Sequence, residues 1–210
     1  MASAKRSRKK PDPSLIARMI DNCLETRARA LRWTTSGTVM GIDLAPRMTG
    51  ISIYTRFGSH QACYTIEEVI ARRSKRDPPI TEKDRIIRCV RVFRRISELI
   101  TAYNVKHVGI EGYAYSQAAQ AHQIGEVGGV VKTQLLMKHD ILPRIVPPTT
   151  ARKHVFGYGG SIPGGKESIK RIVGEGLGVS VDNDHEADAT VVAKWTFDMV
   201  AAEEREIIDG

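Results

Sequence analysis

The chain of 210 residues has no apolar run approaching the roughly 20 residues that a membrane-spanning helix needs. No apolar, signal-like segment follows its charged start, so a cytoplasmic setting, in a bacterial or phage-infected cell, is expected. Cysteine is scarce: Cys23, Cys63 and Cys89 are odd in number and widely spaced. That pattern argues against a disulfide framework and against a zinc knuckle, and it fits a reducing compartment. Acidic residues are also in deficit, 24 against 32 Lys and Arg, which leaves a net charge of +8 and a pI near 9.5. An excess of this sign favours a polyanionic partner without identifying it. The length and a hydrophobic fraction of 41% suit one globular domain with a tail.

What is present falls into two parts. Residues 1–36 read as a basic tail followed by an amphipathic helix. The tail carries the block Lys5-Arg6-Ser7-Arg8-Lys9-Lys10 and too few apolar groups to order itself. It reads as a solvated arm adding nonspecific nucleic-acid affinity, with nuclear localisation as the alternative. From Ser14, a plausible N-cap, to Arg32, apolar residues recur at helical spacing, as in Ile16, Met19, Ile20 and Cys23. This helix is expected to pack on the domain or on a partner.

Residues 37–205 read as one α/β domain. Strands are expected at 38–44, 48–54 and 61–65, the last two joined through Gly58-Ser59, and then at 106–112 and 144–146. Helices are expected at 81–103, 116–138, 149–155, 166–174 and 184–203. In the first of these, Ile86, Val90, Phe93, Ile96 and Ile100 form the apolar stripe, and Arg88, Arg91 and Arg95 mark a solvated or DNA-facing side. The second contains Gly125, Gly128 and Gly129, each costing about 1 kcal/mol of helix stability relative to Ala. Close approach of another helix, or tight packing on the chain's own sheet, would offset that cost. Residues 157–165 hold six Gly or Pro and read as a flexible loop.

Four positions carry the chemistry. Asp43 and Glu111 each end an apolar strand, and His185 and Asp188 open an apolar helix on one face, three residues apart. A charge at the end of a buried strand is costly unless something pairs with it. Convergent carboxylates repel one another unless divalent cations occupy the space between them. We therefore expect a metal site formed by Asp43, Glu111, His185 and Asp188. Two Mg²⁺ ions suit its carboxylates, and the imidazole favours tolerance of Mn²⁺. His185 is either a ligand or the group that positions the attacking water. Asp184 reads as the helix N-cap and Glu186 as solvent-exposed.

The segments Gly41-Ile42-Asp43-Leu44-Ala45-Pro46-Arg47-Met48-Thr49-Gly50, Ile110-Glu111-Gly112-Tyr113 and His185-Glu186-Ala187-Asp188-Ala189 resemble, in that order, the acidic motifs of RuvC-type Holliday junction resolvases. The resemblance spans about Thr38 to Trp195. It implies an RNase H-like mixed five-stranded sheet flanked by helices, and a homodimer built through the glycine-bearing helix. It further implies a metal-dependent endonuclease that resolves four-way or other branched DNA by symmetric phosphodiester hydrolysis. Asp43 would bridge the ions, and His185 stands where many such enzymes have aspartate. Arg152, Lys153 and Lys166 fall near basic residues that meet the scissile strand, with Lys166 also a catalytic candidate. Tyr113 and Tyr115 flank Ala114, the usual place of a base-wedging aromatic, and either could stack on a base. A relaxed flap or single-strand nuclease, or a non-catalytic module binding branched nucleic acid, are the alternatives.

Overall fold

The structure is a computed structural model and describes residues 13–45, 47–68, 80–112 and 118–209. The basic tail, Arg72 to Arg76, Tyr113 and Tyr115 lie outside the described residues. Helix α1 (Pro13–Ala30) is followed by strands β1 (Thr38–Asp43), β2 (Met48–Tyr54) and β3 (His60–Glu67), helix α2 (Glu82–Tyr103) and strand β4 (Val105–Glu111). Helix α3 (Ala118–His139), strand β5 (Arg144–Val146), helices α4 (Pro148–Phe156) and α5 (Lys166–Ile172) and a π-helical turn (Val173–Leu177) lead to α6 (Asp184–Asp209). The sheet runs β3-β2-β1-β4-β5. β1, β2 and β3 form an antiparallel meander, while β1–β4 and β4–β5 are parallel. The mixed five-stranded sheet expected from the sequence is the one observed. No described helix is long and apolar enough to cross a membrane.

Alternation along the strands sorts the two faces. Met40, Ile42, Ile51, Ile53, Val108 and Ile110 point into a core shared with α2 and α3. The intervening residues face α6, which packs against β1, β2 and β4. Three of those residues are glycines directly beneath α6. A β-carbon on Gly41 would stand 2.2 Å from the Ala189 carbonyl oxygen, and one on Gly50 2.0 Å from the His185 carbonyl oxygen. One on Gly109 would stand 1.9 Å from Thr196 Oγ1. These glycines let the helix backbone rest against the sheet backbone. On the outer side of α6, α1 buries Ile16, Met19 and Cys23 among Val155, Phe156, Ile172 and Leu177.

Two expectations are corrected here. Ile86 and Val90 are 56% and 54% exposed, and the buried face of α2 consists of Cys89, Val92, Phe93, Ile96 and Ile100. The helix is rotated about its axis so that the 89-92-96 side meets the sheet and α3, a choice that tertiary packing makes and periodicity alone leaves open. Arg88 is accordingly buried, whereas Arg91 and Arg95 lie on the solvated side near Glu68 and Glu98. The start of α2 is locally encoded: Thr81 and Asp84 form a reciprocal capping box.

The glycine floor gives a direct test. Gly41→Ala places a methyl group against backbone atoms that cannot rotate away, and it should cost about 3 kcal/mol or more. Chemical denaturation of the variant measures that loss.

Candidate metal centre

Strand register brings the first two carboxylates together. Ile42 pairs with Ile110 across the parallel β1–β4 ladder, and the next residue on each strand is Asp43 and Glu111. Both fall on the face that carries Gly41 and Gly109, beneath α6. The first turns of α6 bring the third carboxylate, from Asp188. Ligand oxygens of Asp43, Glu111 and Asp188 all lie within 4.8 Å of one another. They border an open cleft of about 600 Å³, lined also by Leu44, Ile162, Lys166, Ile169 and His185.

Two cationic or cation-capable groups reach the cluster. His185 Nδ1 donates to Asp43 Oδ2 at 2.6 Å, which leaves its Nε2 for a water or an ion. The hydrogen bond and the Asp43 charge raise the imidazole pKa against the opposing effect of burial. Arg152 Nη2 donates to Asp188 Oδ1 at 2.7 Å, while its Nε is buried without a hydrogen-bond partner among the described residues. Arg152, expected at the DNA, is thus turned into the acidic cluster. Its helix α4 is held to α6 by a second polar link, in which His154 Nε2 donates to Asp198 Oδ2 at 2.8 Å. Asp198 is itself buried beside Lys194 one turn earlier.

Repulsion within the cluster shows in its protonation. Burial first, then the Asp43 and Asp188 charges, push the Glu111 carboxyl up to about 10. Asp188 is also raised, chiefly by burial, although Arg152 draws it back. Carboxyls held this high are the signature of a site that is short of positive charge. Three converging carboxylates with one arginine and one histidine therefore fit hard divalent cations by donor type and by charge.

The remaining expected residues are distributed as follows. Lys166 pairs with Asp184 at the mouth of the cleft and is 71% exposed. Lys153 is exposed on α4 and does not line the cleft. Asp184 is not the helix cap. Asn183 takes that role, its Oδ1 accepting from Glu186 N at 3.0 Å, because the Lys166 ammonium holds Asp184. Glu186 is not solvent-exposed: it is 5% accessible and reaches back to Asp182 N and Thr65 Oγ1. The spacing Asn183-x-x-Glu186, a polar cap with an acid three residues on, is the sequence signal that could have revealed this.

The raised Glu111 carboxyl gives a signed prediction for protein stripped of metal by a chelator. The protonated form stabilises the fold fully below about 4.5, and this contribution is lost as pH climbs towards about 10. Under chelation the Tm of the wild type should fall across that window, and Glu111→Gln should flatten the fall and raise the Tm at pH 8 by a few degrees. Thermal denaturation at several pH values measures it.

No family model matches the chain, and no curated protein matches it. Solved structures do. The RuvC structure of Thermus thermophilus superimposes with a TM-score of 0.58 at 19% identity, covering 80% of this chain and 96% of that one. T. thermophilus RuvC in complex with Holliday junction substrate gives 0.60 at 19% identity, covering 79% and 98%. Ydc2, the yeast mitochondrial Holliday junction resolvase, gives 0.53 at 12% identity, covering 91% and 97%. Sheet order, flanking helices and these superpositions agree that the chain has the RNase H-like fold of the RuvC-type resolvases.

Proposed function

We propose that this protein is a metal-dependent endonuclease acting on branched DNA, with four-way junctions as the preferred substrate. The observation that carries the reading is the meeting of Asp43, Glu111 and Asp188, from two strands and a helix, at the border of a cleft in a basic protein. The charge excess suits the phosphate backbone, and the acidic cluster suits ions at the scissile phosphate. Two Mg²⁺ ions, or Mn²⁺ in their place, would supply an activated water and neutralise charge on the leaving oxygen. Asp43, central between the other two elements, would hold both ions, with Glu111 and Asp188 holding one each. His185 Nε2 would orient the attacking water or complete a ligand shell, a reading supported by the commitment of Nδ1 to Asp43. Arg152 can exchange Asp188 for a phosphate oxygen, since a bidentate guanidinium suits either anion. Lys166, exposed at the cleft mouth, can meet the DNA backbone.

The proposal extends to a homodimer, and α3 supports it. Gly125 and Gly129 face open space, so packing on the chain's own sheet does not account for them. Met137 and Leu136 near the end of the same helix are 73% and 49% exposed. A second copy lying along this helix would bury these groups, and a two-fold axis would place one site on each of two like strands. That symmetry is what paired incision of a four-way junction requires.

The catalytic reading predicts that Asp43→Asn cuts a synthetic four-way junction at least 1,000-fold more slowly in Mg²⁺, roughly the loss expected for a group acting only on the transition state. The same variant should bind the junction as tightly as the wild type. Wild-type cutting by the variant would refute the reading. Junction binding with no cutting by the wild type in either metal would favour the non-catalytic module, for which the Arg152–Asp188 pair is the supporting observation. The dimer reading predicts that Gly125→Arg sediments as a monomer while its circular dichroism at 20 °C matches the wild type, because that site is open within the protomer.

A further inference from the structure

Glu186 separates His185 from Asp188 by sequence, yet it points the opposite way, into a partly buried polar cluster at the edge of the sheet. Thr65 Oγ1 of β3 donates to Glu186 Oε1 at 2.6 Å, and the Asp182 backbone N–H donates to Oε2 at 2.9 Å. Asn183 closes the ring: its Nδ2 donates to Thr65 Oγ1 at 2.6 Å, and its Oδ1 accepts from Glu186 N at 3.0 Å. Both carboxylate oxygens of Glu186 are thereby satisfied, at a residue 5% exposed. An anion at the first turn of a helix is also favoured by the helix dipole. On the sheet side, Gly50 leaves no room beneath the His185 carbonyl, so the turn cannot sink further. The first turn of α6 is therefore fixed from below by β2 and laterally by β3.

We propose that Glu186 is a positioning residue: through Thr65 and Asn183 it clamps the first turn of α6 to β3, and so sets where His185 and Asp188 present their ligand atoms. The inference rests on the metal-site reading for its consequence, but not for the clamp itself. A charge-assisted hydrogen bond from a hydroxyl is short and directional. Removing it leaves the turn tied to β3 through the Asn183–Thr65 hydrogen bond, and Thr65→Val removes that one as well. A turn free to shift by an ångström leaves carboxylates too loosely placed to share ions.

Two measurements on the full chain separate the clamp from its consequence. Amide hydrogen exchange without metal reads the clamp: residues 185–188 should exchange at least tenfold faster in Glu186→Ala and in the gentler Thr65→Val. Mn²⁺ titration by calorimetry reads the consequence: both variants should bind the ion about tenfold more weakly. Glu186→Gln, which can still accept from Asp182 N and donate to Thr65, should recover to within about threefold. A control at exposed Glu82, Glu82→Ala, should match the wild type in both measurements. Wild-type exchange in folded Thr65→Val would overturn the proposal, and so would wild-type Mn²⁺ affinity in either clamp variant. A wild type that binds no Mn²⁺ would sink the metal-site reading, and exchange alone would then decide the clamp. A Glu186→Ala that does not fold leaves both readings to Thr65→Val.

Discussion

A helix can bring a carboxylate to within 4.8 Å of carboxylates borne on strands only if its backbone lies almost against the sheet. Ordinary side chains hold the two layers about 10 Å apart, the width of interdigitated residues. Here Gly41, Gly50 and Gly109 remove the β-carbons that would intervene, and α6 settles onto three strands at once. The seat is shared by the three strands that define the site: β1 carries Asp43, β4 carries Glu111, and β2 stops the turn holding His185. Loss of that approach would move Asp188 away from its partners while leaving every acidic residue in the sequence.

The energetics then become those of crowded charge. Burial and mutual repulsion push Glu111 and Asp188 towards their protonated forms. Arg152 and His185 offset part of the cost, each by a hydrogen bond to one carboxylate. No described side chain gives Glu111 an ion pair. Such a cluster weakens the fold when it stands alone, a familiar exchange of stability for function. On the proposed metal-site reading, cation binding would offset that cost and would depend on pH, because it displaces protons. The buried Lys194–Asp198 pair with His154, deeper along α6, is of another kind. Its charges are matched, and it holds α4 against α6.

The strands and the acidic positions that meet, Asp43, Glu111 and Asp188, were legible in the sequence. Asp43 and Glu111 could be read because each ends a run of apolar residues, where an unpaired charge is costly. Asp188 could be read because it sits on the apolar side of a helix start. Less of the surroundings was legible. The three glycines under α6 carry no such signal, since nothing local says what crosses above them. Arg152 reads as a surface base on a short helix, and only the α4–α6 contact turns it inward. Glu186 follows a histidine and looked exposed, but a hydroxyl on β3, far away in sequence, draws it inside. The rotation of α2 was ambiguous for the same reason: Ile86 and Cys89 both satisfy helical spacing, and the layer beneath selects one. Local chemistry specified the elements and tertiary proximity specified the rest.

The central claim is that Asp43, Glu111 and Asp188 jointly trap divalent cations. Anomalous diffraction from crystals soaked in Mn²⁺ tests it most directly. The account predicts anomalous density between these three carboxylates, with Arg152 released from Asp188. A map without density there, and with the Arg152–Asp188 pair intact at saturating Mn²⁺, would contradict it.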